Sequence, residues 1–265
     1  MQVRPIVTAL ALVAGATAFA APTTPPAPFR YTLTEVIHRE VDLTAAGAGK
    51  QVEHASLTRF VSLTFGDSAG GRTVRLVVDS VRLDTIQSQA PIDQAALDSL
   101  RGVSATAWIG ADGTLQQVQS DSARGTIAAT ALTSFFPKVA PGVRVGTHWS
   151  DTTESRGTGD QLLAASTVRR ITNWAVNGEV PVGGIKSRKI EAAFSQSVTG
   201  ELQTPQGAVG IDGTGTGSAT YFMAADGRPM GMTSTLTLAL TVSTSQLPEP
   251  IPVSGVNTTT ITPIR

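Results

Sequence analysis

The residues able to do acid–base, metal or nucleophilic chemistry are few and scattered. The histidines are His38, His54 and His148. None stands at the short spacing to a second ligand that presents a pair to one metal ion. Each is expected to be solvated or singly hydrogen-bonded, although three distant histidines can still converge in a fold. Glu35, Glu40 and Asp42 flank Arg39. That mixture predicts cross-strand ion pairs, the common role, over a general acid–base pair, which needs a cleft and split pKa values. Asp79 and Asp84 are too widely spaced for a calcium loop. There is no nucleophile elbow, no phosphate-binding loop with its lysine, no dinucleotide glycine motif and no H-E-x-x-H. The run Gly213-Thr214-Gly215-Thr216-Gly217 is rich in glycine but has no lysine and no helix signal after it. It reads as a strand whose glycine face lets another element approach closely. The expectation is a non-enzyme with no catalytic residue, no metal ligand and no cofactor.

Composition narrows the classes further. Of 265 residues, 20 are Lys or Arg and 20 are Asp or Glu, so the formal net charge is zero. A neutral chain lacks the basic field that holds phosphates, and no nucleic-acid partner is expected. No residue is cysteine, which removes disulfides, thiolate sites and a lipidated N-terminal cysteine. The apolar share of 41% is too high for a disordered chain and sufficient for a core. Aromatics at 5% are too sparse for the girdles of an outer-membrane barrel.

The first segment reads as a signal peptide, Met1 to Ala20. Arg4 supplies its charge, Ile6 to Ala18 its apolar run, and Ala18-Phe19-Ala20 its small-x-small cleavage pattern. The run is too short and too interrupted to span a membrane. No second apolar stretch approaches that length, so a mature chain without a transmembrane segment is expected, periplasmic or secreted after cleavage near Ala20. Residues 21–29, with Pro22, Pro25, Pro26 and Pro28, form an extended leader. Residues 30–265 are then one β-rich domain, with candidate halves at 30–138 and 147–265.

Alternation places the strands. Tyr31, Leu33, Ile37, Val41 and Leu43 share one parity, opposite Thr32, Thr34, His38, Glu40 and Asp42. Ser56–Phe65 and Thr73–Ile86 continue the pattern, with Gly70-Gly71 as a tight turn between them. Late in the chain Met230, Met232, Leu236, Leu238, Leu240 and Val242 share a face opposite Thr233, Thr235, Thr237, Thr241 and Ser243. Strands this long imply a twisted or curved sheet. Two short amphipathic helices are predicted over Pro91–Arg101, with Ile92, Ala95, Ala96 and Leu100 inward, and over Thr126–Phe136, with Ile127, Ala131, Leu132, Phe135 and Phe136 inward. The segment Ala105–Gly113 resembles Ala219–Gly227, each a strand entering an Asp-Gly turn, and makes an internal duplication a candidate. Val139–Gly146 would join the halves. Trp108, Trp149 and Trp174 read as residues closing one end of a sheet in preference to a ligand platform. The fold class expected is mainly β: a long, curved antiparallel sheet or half-barrel with two short helices packed on its apolar face.

That outline, together with the helix stopped at Leu100-Arg101-Gly102 and the strand-Asp-Gly-strand units, resembles the bacterial lipoprotein-carrier half-barrels of the LolA and LppX type. The run holding Pro141, Val145, Gly146 and Trp149 also looks like one shared by a set of secreted bacterial β-rich proteins. The chain departs from the LppX type in lacking a cysteine for lipidation. The carrier resemblance implies acyl chains held between a concave sheet and its helices. The ligand-binding residues would then be Met230, Met232, Leu236, Leu238 and Leu240, with Leu100 and Phe135 from the helices. Two readings follow: an extracytoplasmic, non-catalytic binding or carrier protein for an apolar, lipid-like ligand, or a structural or protein-interaction module of the cell envelope with no small ligand.

Overall fold

The structure is a computed structural model that describes residues 27–68, 71–87, 94–110, 113–122, 124–139, 143–156, 165–204 and 207–264. The signal-peptide reading, residues 21–26 of the leader, Gly70, Pro91, Ile92, Asp112 and Pro141 lie outside the described residues.

Alternating sequence becomes long strands. The first half of the chain supplies β1 (Phe29–Asp42), β2 (Lys50–Ser68), β3 (Gly71–Gln87), β4 (Ser104–Gly110) and β5 (Leu115–Ser120). The second supplies β6 (His148–Arg156), β7 (Ser166–Val182), β8 (Ile185–Thr204), β9 (Gly207–Ala224), β10 (Pro229–Thr244) and β11 (Ile251–Pro263). Two short helices, α1 (Gln94–Asp98) and α2 (Gly125–Ser134), interrupt them. All strands join one antiparallel sheet in the order β5-β4-β3-β2-β1-β11-β10-β9-β8-β7-β6, which does not close into a barrel. The first strand thus pairs with the last at the middle of the sheet, Leu33 opposite Ile261. The chain crosses from one sheet edge to the other once, between β5 and β6.

The sheet curls strongly at one end. Flat, β4 and β8 would stand about 34 Å apart, seven strand spacings. Yet Ile109 of β4 and Ile190 of β8 line a single cavity of about 500 Å³. At the same end Arg72 of β3 donates to the Asp226 carbonyl in the β9–β10 turn. Register shifts supply part of the bending, at Ser56/Leu57 and Phe60/Val61 in β2, at Val176/Gly178 in β7 and at Pro229/Gly231 in β10.

The concave face of that curled end is a filled core. Tyr31, Leu33, Val61, Leu63, Val74, Leu76 and Ala105 face Ala128, Ala131, Leu132, Phe135 and Phe136 from α2 and the residues after it. The Phe135 ring meets Tyr31 edge-on at 5.1 Å, and the Tyr31 hydroxyl donates to the Pro229 carbonyl at 3.0 Å. A second cluster, Trp174, Val176, Ile190, Ala192 and Ala219, is covered by Val139 and Val143 of the crossover. The expected inward position of Ile127 is not observed. It is 37% exposed, and Ala128 is buried instead, because Ala128, Ala131, Leu132 and Phe135 form the i, i+3, i+4, i+7 stripe that faces the sheet and Ile127 falls outside it. The glycines of the two Asp-Gly pairs are alike: Gly113 donates to Gly110 and Gly227 to Ala224, each glycine with φ near +80°. After the hairpins the order of elements differs, since α2 follows β5 and β11 follows β10.

Candidate functional site

The apolar stripe of β10 runs from the filled core onto open sheet. Register places Leu236, Leu238, Leu240 and Val242 beside Asn257, Gly255, Val253 and Ile251 of β11. These lie beside Ile37, Arg39 and Val41 of β1. At the far end of the strands this face forms a recess of about 260 Å³, lined by Ile37, Arg39, Val41, Ile211, Leu238, Leu240, Val242 and Val253 among others. Its lining among the described residues comes from β1, β9, β10 and β11 alone, with no contribution from α1 or α2. The larger cavity at the curled end has mostly apolar walls, among them Ile109, Val139, Ile190 and Met223, with Arg72, Glu179, Lys186, Arg188 and Asp226 also lining it.

The glycine run explains the shape of the recess. Gly213, Gly215 and Gly217 lie in β9 and point to the concave face opposite Leu240, Leu238 and Leu236. A Cβ on Gly213 would come 2.7 Å from Leu240 Cδ2, and one on Gly215 equally close to Leu238 Cδ2. The leucines therefore lean across the glycines, as the close-approach reading of this run requires. From the other side, Phe194 and Gln196 of β8 lean over the same stripe: a Cβ on Gly217 would meet Phe194 Cζ at 2.5 Å.

Beyond Gln196 stands Arg170 of β7, on the same face. Its Nε and Nη2 both donate to Gln196 Oε1, at 3.0 and 2.6 Å. The guanidinium carbon lies 4.6 Å from the centre of the Phe194 ring. Burial pushes the Arg170 pKa down, partly countered by the nearby Tyr221. Two other concave-face arginines have carboxylates: Arg59 pairs with Glu35 at 2.5 Å and Arg39 with Glu53 at 3.5 Å. Among the described residues no carboxylate pairs with Arg170.

The residues expected to line a site fall into two groups. Leu238 and Leu240 line the recess, and Leu236 is half-buried on the same face next to it. Met232 and Phe135 are fully committed to the filled core, and Leu100 packs at its margin. Met230 leaves the stripe because the register shift between Pro229 and Gly231 falls on it. The sequence reading did not include Ile37, Val41, Val253, Ile211 or Arg170 in the site. Arg170 carried one usable signal: it interrupts an otherwise uncharged parity, Val168, Thr172, Trp174 and Val176.

The remaining chemistry-bearing residues make no cluster of this kind. Register sets His38 opposite His54 with ring centres 6.2 Å apart, a proximity invisible in the linear spacing. His148 begins β6, remote in the sheet order. Among the described residues no group of three His, Asp or Glu side chains is placed to hold a metal ion. Trp149 stacks parallel on Trp174 at 5.8 Å, and the Trp174 indole donates to Asp151 at 3.0 Å, so both complete the second core cluster. Among the described residues no helix is long and apolar enough to cross a membrane. No protein-family model matches the chain, and no curated protein does.

Proposed function

We propose that this chain is a non-catalytic binding or carrier protein for an apolar, lipid-like ligand, working outside the cytoplasm. One observation carries the reading: the leucine stripe of β10 continues past the helix-covered core into an uncovered apolar recess. Apolar surface left in water costs about 25 cal/mol per Å², so an occupant that covers Leu238, Leu240, Val242 and Val253 gains free energy from the fold as it stands. The recess, about 260 Å³, falls just below the ~300–1,000 Å³ usual for small-molecule sites, which suits one slender chain in preference to a bulky ligand. Thr-rich outer strands and a neutral net charge are compatible with a freely diffusing carrier.

Native mass spectrometry of the chain purified from the periplasm of an expressing bacterium, with solvent extraction of the same sample, tests this. The expected result is a discrete adduct matching an acyl lipid. Leu238→Asp should remove the adduct while the circular dichroism spectrum is retained, because a charge in the recess opposes an apolar occupant. A bare mass, with no lipid in the extract, would overturn the reading. Co-purification of an envelope protein in that case would favour an interaction module.

A further inference from the structure

Resting on the carrier reading, we propose that the ligand is an anionic single-chain amphiphile, a long-chain carboxylate, whose head group is held by Arg170 while its tail lies along Leu238 and Leu240. Three observations meet at this point. Arg170 is a cation on a largely apolar face, and the acceptor it meets is a neutral amide oxygen, Gln196 Oε1. Arg59 and Arg39 on the same face each have a carboxylate beside them, Glu35 and Glu53, which offsets their pull on an incoming anion, whereas among the described residues Arg170 has none. A guanidinium has five N–H donors. Gln196 engages donors on Nε and Nη2, and among the described residues the other guanidinium nitrogen has no hydrogen-bond partner, so it can donate to a carboxylate.

Position adds to charge. The register forms one row across the concave face: Arg170, Gln196, Gly215, Leu238. Three strand spacings put the ends of that row about 14 Å apart, a span that an extended acyl chain bridges. Gly215 leaves the middle of the row without a side chain, and a Cβ there would collide with Leu238 Cδ2 and press on Gln196 Cγ at 3.2 Å. Leu238 and Gln196 close over Gly215 from its two sides, so head-group site and tail recess are neighbours along one continuous packed surface. Phe194 fixes the guanidinium from beneath, which orients the head-group site without neutralising it. The downward pull of burial on the Arg170 pKa agrees with a cation that would gain from a counter-ion. A neutral amphiphile in the same place would cover the cation further and leave it unpaired, at a cost in affinity.

The test compares dodecanoate, dodecanol and dodecyltrimethylammonium on the full, delipidated chain at pH 7.5 by isothermal titration. Dodecanoate is expected to bind about tenfold or more tightly than dodecanol, the size of a charge-assisted hydrogen-bond pair, and the ammonium most weakly. Arg170→Gln should bring dodecanoate to the level of dodecanol and leave dodecanol unchanged. Equal binding of all three to the unaltered chain would overturn the head-group assignment while leaving the carrier reading standing. Carboxylate preference retained in Arg170→Gln would place the anion elsewhere and overturn it as well. Binding of none of the three would sink the carrier reading itself, and this inference with it. The comparison on the unaltered chain does not depend on whether the variant folds.

Discussion

Tyr31 shows how much one buried polar atom can matter here. Its ring is 1% exposed, its edge meets Phe135, and its hydroxyl satisfies the Pro229 carbonyl at the register shift of β10. Tyr31→Phe keeps the ring and leaves that carbonyl without its donor. The expected cost is about 1–2 kcal/mol, read from urea unfolding at pH 8. The same residue sets an alkaline limit. Burial raises the pKa of Tyr31 and Tyr221 above the usual phenol value. In the unfolded chain both ionise near pH ~10, whereas the folded chain holds them protonated. Their contribution is therefore complete below about pH 10 and is lost as pH rises through the folded values. Unfolding midpoints should fall above that pH, and less steeply in Tyr31→Phe. An unchanged alkaline slope in the variant would show that the phenol is not the source.

At the scale of elements, the stripe of glycines in β9 is what lets three neighbouring strands share one concave surface. Gly217→Ala places a methyl against Phe194 and the Thr235 carbonyl, which a central strand cannot relieve by moving outward. A loss of about 1–3 kcal/mol is expected, as for other overpacked sites, measured by thermal or urea unfolding. A neutral effect would mean that Phe194 swings away freely, and that it is a poor support for Arg170. Helix α2 has the opposite task. Ala128, Ala131 and Leu132 bring it close to the sheet, and Phe135 and Phe136 pack with them into the filled core. Phe135 and Met232, two of the residues that the carrier resemblance assigns to a ligand site, are buried in that core.

For the whole molecule, the decisive feature is the pairing of β1 with β11. It joins residues more than two hundred positions apart, such as Tyr31 and Pro263, at the middle of the sheet. Contacts of such long separation close late and slowly in folding. Deleting residues 251–265 would leave β1 and β10 as bare edges beside the exposed core face of Leu33 and Met232. The truncated chain is expected to lose cooperative unfolding and to aggregate, seen by circular dichroism and size exclusion. A folded monomer with a sharp transition would show that the halves are independent units, and would support the duplication read from the two Asp-Gly hairpins.

Strand identity was legible because it rests on neighbours two residues apart in the chain. Tyr31 and Leu33, the leucines opposite the threonines from 233 to 243, and the Gly213–Gly217 run all carry their geometry locally. Helix existence was legible for the same reason, although the facing of Ile127, Ala95 and Ala96 was not: all three are exposed, because the pattern of a short helix leaves the edge of its buried stripe to the neighbours it meets. The site itself is a product of register. Whether Arg170 meets Gln196 or a carboxylate, whether His38 meets His54, and whether Met230 stays with Met232 all depend on turns and bulges far from those residues. Which apolar residues are covered depends on where a ten-residue helix lands on an eleven-stranded sheet. Alternation encodes two faces per strand. Tertiary pairing alone chooses the neighbours across each face, and burial and charge compensation are properties of those neighbours.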